Sequence, residues 1–125
     1  MLNDAMELVK EFMSQAHQPV AEQPISLIKE RVLLRASWMH DEIEEFIAAE
    51  DVYEQTDAML DLIYYTLGTL VELGVKPDEL FLMLHENNMK KVEHLVVDAN
   101  GKVQKPEGWK HPDEEIHRII DSYKK

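Results

Sequence analysis

The sequence predicts an all-α fold, a bundle of four or five helices joined by short connections. Two observations carry that reading. Apolar residues recur three and four positions apart through several long stretches, the spacing of one helix face. The prolines and every glycine but Gly68 fall between those stretches or at their ends, where helices stop. At 125 residues the chain has the length of a single domain over residues 1–125. It contains no internal repeat, low-complexity tract or linker.

The first helix is expected over residues 2–16, where Leu2, Met6, Val9 and Met13 form a stripe with Leu8 and Phe12 beside it. Asn3 or Asp4 is the expected cap. Pro19 and Pro24 then break the chain, and Ser26 is the expected cap of a long helix over about 27–49. Ile28, Val32, Leu34, Met39, Ile43, Phe46 and Ile47 supply its apolar positions. Glu50 to Tyr53 reads as a short turn. A very apolar helix follows over 54–73, stopped by Gly74 with Pro77 beyond it. Another spans 77–92, with Leu80, Phe81, Met83 and Leu84 inside. Residues 98–112 are rich in turn formers and suggest a short hairpin or ordered loop. Asp113 is the expected cap of a last helix over 114–123.

Composition excludes several functions. With no cysteine, there is no disulfide, thiolate zinc site or cysteine nucleophile. This suits a cytoplasmic location. The first residues carry no basic and apolar leader pattern, so no signal peptide is expected. The uncharged run Leu62 to Val71 is too short to span a bilayer, so no membrane partner is expected. A formal net charge of −12 argues against a nucleic-acid polymer as partner, since phosphate backbones call for a basic footprint.

The acids are concentrated. Nine fall between Asp41 and Asp61, while no lysine or arginine occurs from Ala36 to Val75. Glu42 and Glu45 are three apart and share a helix face, with Arg35 and then Arg31 on the same side toward the N-terminus. Glu54, Asp57 and Asp61 share a sector of the next helix, continued by Tyr64, Tyr65 and Gly68. Two helices joined by a short turn pack antiparallel, so the acidic faces can meet. Converging carboxylates without a cation are unfavourable, and a bound cation relieves the repulsion. Hard oxygen donors suit Mg²⁺, or Mn²⁺ as a substitute. A solvated acidic face is the plainer alternative, and it suits Glu44, Glu50 and Asp51.

The pattern D41-E42-I-E44-E45, then E54-Q-T-D57, D61-L-I-Y64-Y65 and Gly68, resembles the MazG-like all-α nucleotide pyrophosphohydrolases, most closely the branch related to phosphoribosyl-ATP pyrophosphohydrolase. Asn88-Met89-x-Lys91, Gly101-Lys102, Lys105-Pro106, Trp109 and Pro112 continue the likeness. Asp41 stands where the family more often has glutamate, and Trp38, Met39 and His40 depart from its pattern. The resemblance implies hydrolysis of a nucleoside triphosphate to a monophosphate and pyrophosphate, with phosphoribosyl-ATP as an alternative substrate. It implies Glu42, Glu45, Glu54 and Asp57 as metal ligands, and Glu45 or Asp41 as the group that takes the proton. Lys91, Lys102, Lys105, Asn88, Asp61 and Tyr64 are the implied substrate-binding residues. Trp109 either stacks on a base or covers the core. Asn88 either meets base or sugar or caps its helix. Arg35 is expected to pair with an acid of the site.

Two weaker signals fail on spacing. Asp98-Ala-Asn-Gly101 has its glycine too early for an EF-hand, and Glu114-x-x-His117 is only half of a di-iron motif. Such apolar helices in a small chain also imply self-association, as a homodimer or a dimer of dimers. A non-catalytic helical oligomerisation module is the alternative of a different class.

Overall fold

The computed structural model describes all 125 residues. It contains five helices and no strand: α1 (Leu2–Gln15), α2 (Lys29–Ala48), α3 (Val52–Leu73), α4 (Asp78–Val92) and α5 (Asp113–Ser122). The expected all-α fold is thus realised. No single helix is long and apolar enough to cross a membrane. The chain forms two compact units, residues 1–76 with Lys125, and residues 77–124.

In the first unit α2 and α3 run antiparallel, because contacts that climb along α2 descend along α3. Arg31 and Arg35 meet Glu72, Trp38 meets Tyr65, and Met39 meets Thr66. α1 packs on α3, and the core is the cluster Met6, Val9, Met13, Leu67 and Val71. Three of these are the α1 stripe read from the sequence. Leu8 and Phe12, expected beside the stripe, are 67% and 57% exposed, so the buried face of α1 is narrow.

The helix ends differ from expectation at several points. Ser26 caps nothing: α2 starts after Ile28, with no side-chain cap. Neither Asn3 nor Asp4 caps α1, which starts directly after Met1; Asp4 lies in the first turn, 3.5 Å from the terminal ammonium. The turn before α3 is shorter than Glu50 to Tyr53, because Asp51 is the cap. Its Oδ1 accepts the Glu54 amide at 2.8 Å, while Glu54 Oε2 accepts the Glu50 amide at 3.2 Å. This is nearly the reciprocal capping box, displaced by one residue. Asp51 is therefore more than a solvated acid.

Both α1 and α3 end in the same closure, with crossed bonds back into the last turn. At α3, Val75 N donates to Leu70 O at 3.1 Å and Gly74 N to Val71 O at 3.2 Å. Gly74 has φ +69°, and a Cβ there would fall 2.1 Å from the Gln23 carbonyl oxygen, so only glycine fits. At α1, Gln18 N donates to Met13 O at 2.8 Å and His17 N to Ser14 O at 3.3 Å. Here the left-handed position is held by His17, at φ 58°. The segment between α1 and α2 then runs across the end of α3. Ala21 N donates to Val71 O and Ile25 N to Leu73 O, at 3.2 and 3.0 Å.

In the second unit α4 buries Met83 and Asn87, and α5 buries Ile119. Asp113 is the first residue of α5 and not its cap; its Oδ1 lies 2.7 Å from His111 Nδ1. The turn-rich segment closes through one antiparallel bridge between Val97 and Val103. Asp98 organises it by accepting the Asn100 and Lys102 amides at 2.9 and 3.0 Å. This is a turn built on an aspartate, not a calcium loop.

Candidate active site

Two helical stripes face each other along the α2–α3 pair. On α2 the stripe is Arg31, Arg35, Trp38, Glu42 and Glu45, each three or four residues after the last. On α3, in the reverse direction, it is Glu72, Gly68, Tyr65, Asp61 and Asp57. Antiparallel packing divides the seam into a basic end at Arg31, Arg35 and Glu72, an aromatic middle, and an acidic end.

At the acidic end, carboxylate oxygens of Glu42, Glu45 and Asp61 all lie within 4.8 Å of one another. Glu42 is buried, at 8% exposure, and its Oε2 has no hydrogen-bond partner. Burial pushes its carboxyl up to about 7. The hydrogen bond and charge of Glu45 add to the shift, followed by the charges of Asp61 and Asp57. A buried acceptor with no donor is rare in folded proteins and calls for an explanation. A divalent cation supplies one, since it would satisfy the orphaned oxygen and neutralise the repulsion together. The donor set, carboxylate oxygens without sulfur or imidazole, fits a hard cation.

The expected site residues separate into groups. Glu42 and Glu45 come together as anticipated. Asp61, expected among the substrate-binding residues, sits in the carboxylate cluster with them. Asp57 lies outside the three-carboxylate group but close enough to act on Glu42 through its charge. Glu54 also lies outside it, drawn into the cap of α3. Asp41 is exposed.

Arg35 does not pair with an acid of this cluster. It is only 4% exposed and donates from Nε to Glu72, which sequence reasoning passed over. Arg31 joins them, donating from Nε to Glu72 Oε1 at 2.7 Å and from Nη2 to Oε2 at 2.9 Å. Burial alone would push the Glu72 carboxyl up, but the bonds and charges of Arg31 and Arg35 outweigh it and hold the carboxyl below its ordinary range. Glu72 was legible in principle. It lies eleven residues, three helical turns, beyond Asp61 and so on the same face.

The aromatic middle borders a cavity of about 210 Å³. Phe12, Trp38, Tyr64 and Tyr65 line it with Arg35 and Gln18. Tyr64 meets Phe12 edge-on at 5.8 Å between ring centres. Trp38 stands one turn from Glu42, and Tyr65 one turn from Asp61, so the cavity adjoins the carboxylates along the seam.

The expected basic residues belong to the second unit. Lys91 Nζ lies 4.4 Å from the centre of the Trp109 ring and Lys105 Nζ 5.7 Å from it. Trp109 Nε1 donates to the Asn87 carbonyl at 3.1 Å, which fixes the indole against α4. That favours the covering role for Trp109. Asn88 is exposed in the body of α4 and caps neither end.

A family model matches residues 9–88, described as phosphoribosyl-ATP pyrophosphohydrolase. The chain belongs to that family. The match takes in the second half of α1, all of α2 and α3 and most of α4, so the whole carboxylate seam lies inside it. The phosphoribosyl-ATP pyrophosphohydrolase family is part of the MazG-like all-α superfamily, and its members are metal-dependent hydrolases of phosphoric anhydride bonds in nucleotides. No curated protein matches the chain.

Proposed function

We propose that this phosphoribosyl-ATP pyrophosphohydrolase family member is a Mg²⁺-dependent enzyme that hydrolyses the bond between the α and β phosphates of a nucleotide, giving a monophosphate and pyrophosphate. One observation carries the reading: a buried glutamate oxygen without a partner, at the meeting point of three carboxylates. Glu42, Glu45 and Asp61 would hold the ion, with Asp57 beside them. An ion held by these carboxylates would supply positive charge against phosphate oxygens and acidity for the attacking water. The other tasks fall to this chain's residues. Glu45 is more exposed than Glu42, so a carboxylate oxygen of Glu45 not engaged with the ion takes the proton of the attacking water. Asp41, exposed on the same helix, is the second candidate for that task. Glu54 supports the site from the α3 cap, holding the turn that joins the two acidic faces. Lys91, Lys102 and Lys105 are assigned to the phosphate oxygens, a role to be tested residue by residue.

Two substrates share this chemistry, an ordinary nucleoside triphosphate and phosphoribosyl-ATP. The family match favours the second. The test is pyrophosphate release from a panel of ribo- and deoxynucleoside triphosphates and phosphoribosyl-ATP, with Mg²⁺, with Mn²⁺ and with chelator. Metal-dependent release from at least one is expected. None from any member would overturn the reading.

Self-association is part of the same proposal. Ile28, just before α2, and Ile47 on α2 are 70% and 68% exposed, and Leu60 and Ile63 on α3 are 59% and 51% exposed. Apolar faces of this extent mark an interaction surface. Sedimentation should give a dimer or tetramer mass, and a monomer at micromolar concentration would contradict it.

A further inference from the structure

We infer that Glu72 is a positioning residue: acting through Arg31 and Arg35, it fixes Trp38 as the wall of a subsite for a flat ring of the nucleotide. The inference rests on the proposed nucleotide substrate but not on the hydrolytic step.

The Glu72 side chain is 1% exposed and that of Arg35 5%. A buried ion group of this kind adds little stability over well-packed apolar residues, because desolvation offsets the attraction. What it supplies is geometry. Each Glu72 oxygen is held by a guanidinium nitrogen, so neither arginine can rotate independently. Arg31 is anchored again through Nη2 to Gln18 Oε1 at 3.0 Å, and Arg35 through Nη1 to Tyr65 O at 3.4 Å. Both guanidinium groups then lie against one ring. The Arg31 and Arg35 Cζ atoms are 5.2 and 5.1 Å from the Trp38 ring centre. Guanidinium groups stack on indole because they are flat and weakly hydrated. The Tyr65 ring holds Trp38 from α3, with ring centres 5.9 Å apart. Trp38 is thereby restrained by one ring and by two cations that are both held by a single carboxylate.

The lining of the open cavity beside this wall suits an aromatic guest. Four of its lining side chains are aromatic, and Arg35 and Gln18 bring polar atoms to it. Such a lining offers faces for stacking and few groups to be left unpaired. Phosphates would be poorly served there, whereas the neighbouring carboxylates suit a cation-bridged phosphate. Removing the Glu72 charge leaves two adjacent arginines to repel each other, and Trp38 loses its fixed supports.

The chain has two tryptophans, so a Trp109→Phe background leaves Trp38 as the sole indole reporter. In that background Glu72→Gln should shift Trp38 emission to the red and increase its quenching by acrylamide. The KM for the accepted nucleotide should rise by about tenfold with kcat changed less than about twofold, the signature of lost binding common to ground and transition states. Mn²⁺ affinity should stay unchanged. Arg31→Met is the milder variant, since the Arg31 side chain is 21% exposed, and should move KM and emission in the same direction. With Trp38→Leu already present, Glu72→Gln should raise KM by no more than about a further twofold, because the two act in one chain of contacts. Unaltered KM and Trp38 emission in Glu72→Gln, or in Arg31→Met where the glutamine variant does not fold, would overturn the inference. Full additivity with Trp38→Leu would do the same. Quenching of Trp38 by a nucleoside monophosphate that depends on Glu72, in a protein that hydrolyses nothing, would support it while the catalytic reading failed.

Discussion

Replacing Gly68 with alanine sets two effects of opposite sign against each other. Gly68 is buried in the body of α3, where alanine is favoured over glycine by about 1 kcal/mol on helix propensity. An exposed helical glycine would respond with that gain. Here the added Cβ would meet Arg35 Nη1 at 2.9 Å, Met13 Sδ at 3.3 Å and Arg35 Nη2 at 3.4 Å. Real Cβ atoms do not approach that closely, so the guanidinium must move by a few tenths of an ångström. Arginine tips usually yield cheaply, but this one is buried and held to Glu72 and the Tyr65 carbonyl. Breaking such a buried pair outright costs about 3–5 kcal/mol, and overpacking alone about 1–3 kcal/mol. A partial displacement belongs with the second figure, which leaves a net loss of about 0–2 kcal/mol, centred near 1 kcal/mol, after the propensity gain. Urea unfolding measures it. With a slope of about 1–3 kcal/mol/M, a loss of about 1 kcal/mol should lower the midpoint by about 0.3–1 M at unchanged slope. A midpoint that rises would refute the reasoning, for it would mean that Arg35 is not pinned. The cause can be isolated as well: against Arg35→Met, Gly68→Ala should become neutral or stabilising.

Three further outcomes are expected. Glu42→Gln should weaken Mn²⁺ binding at least tenfold while raising the melting temperature of the metal-free protein. Because the folded pKa of Glu42, about 7, lies above the ordinary 4.5, its contribution to stability is full below 4.5 and is lost as pH rises through 7. Metal-free wild type should therefore melt lower at pH 8 than at pH 5 by more than Glu42→Gln does, with the gap closing when divalent metal is added. Asp51→Ala removes the α3 cap and should destabilise by about 1 kcal/mol in urea unfolding. His17→Gly relieves a left-handed non-glycine residue and should stabilise by up to about 1 kcal/mol, since glycine's greater entropy in the unfolded chain offsets part of the 1–2 kcal/mol strain.

The helices were legible because their apolar spacing is long and regular, and because Gly74 and the prolines stand between them. The acid pair Glu42 and Glu45 was legible for the same reason: residues three apart share a face wherever a helix exists. The partner acid was harder. Glu54, Asp57 and Asp61 share a sector, and sequence spacing cannot say which will meet α2. That depends on the register of α2 against α3, which places Asp61 opposite Glu42 and leaves Glu54 to the turn. Arg35 was misassigned for a related reason. It shares a face with Glu42 and Glu45, but antiparallel packing sets it beside the far end of α3, where Glu72 waits. The caps failed where side-chain type suggested one and the chain direction did not allow it, as at Ser26.

The segment 16–28 looks in sequence like a connector broken by two prolines. Its amides at Ala21 and Ile25 instead complete hydrogen bonds that the last turn of α3 leaves open. The Gln23 carbonyl sits where any side chain at position 74 would have to go. This stretch is therefore an interlock, through which the order of α1 and the end of α3 are tied into one opening event. In hydrogen exchange the amides of Ala21, Ile25 and Val75 should open together, at one free energy, although Val75 lies 54 and 50 positions along the chain from the other two. Lengthening this segment would unfasten the α3 terminus, so surface position alone gives it no tolerance for insertions.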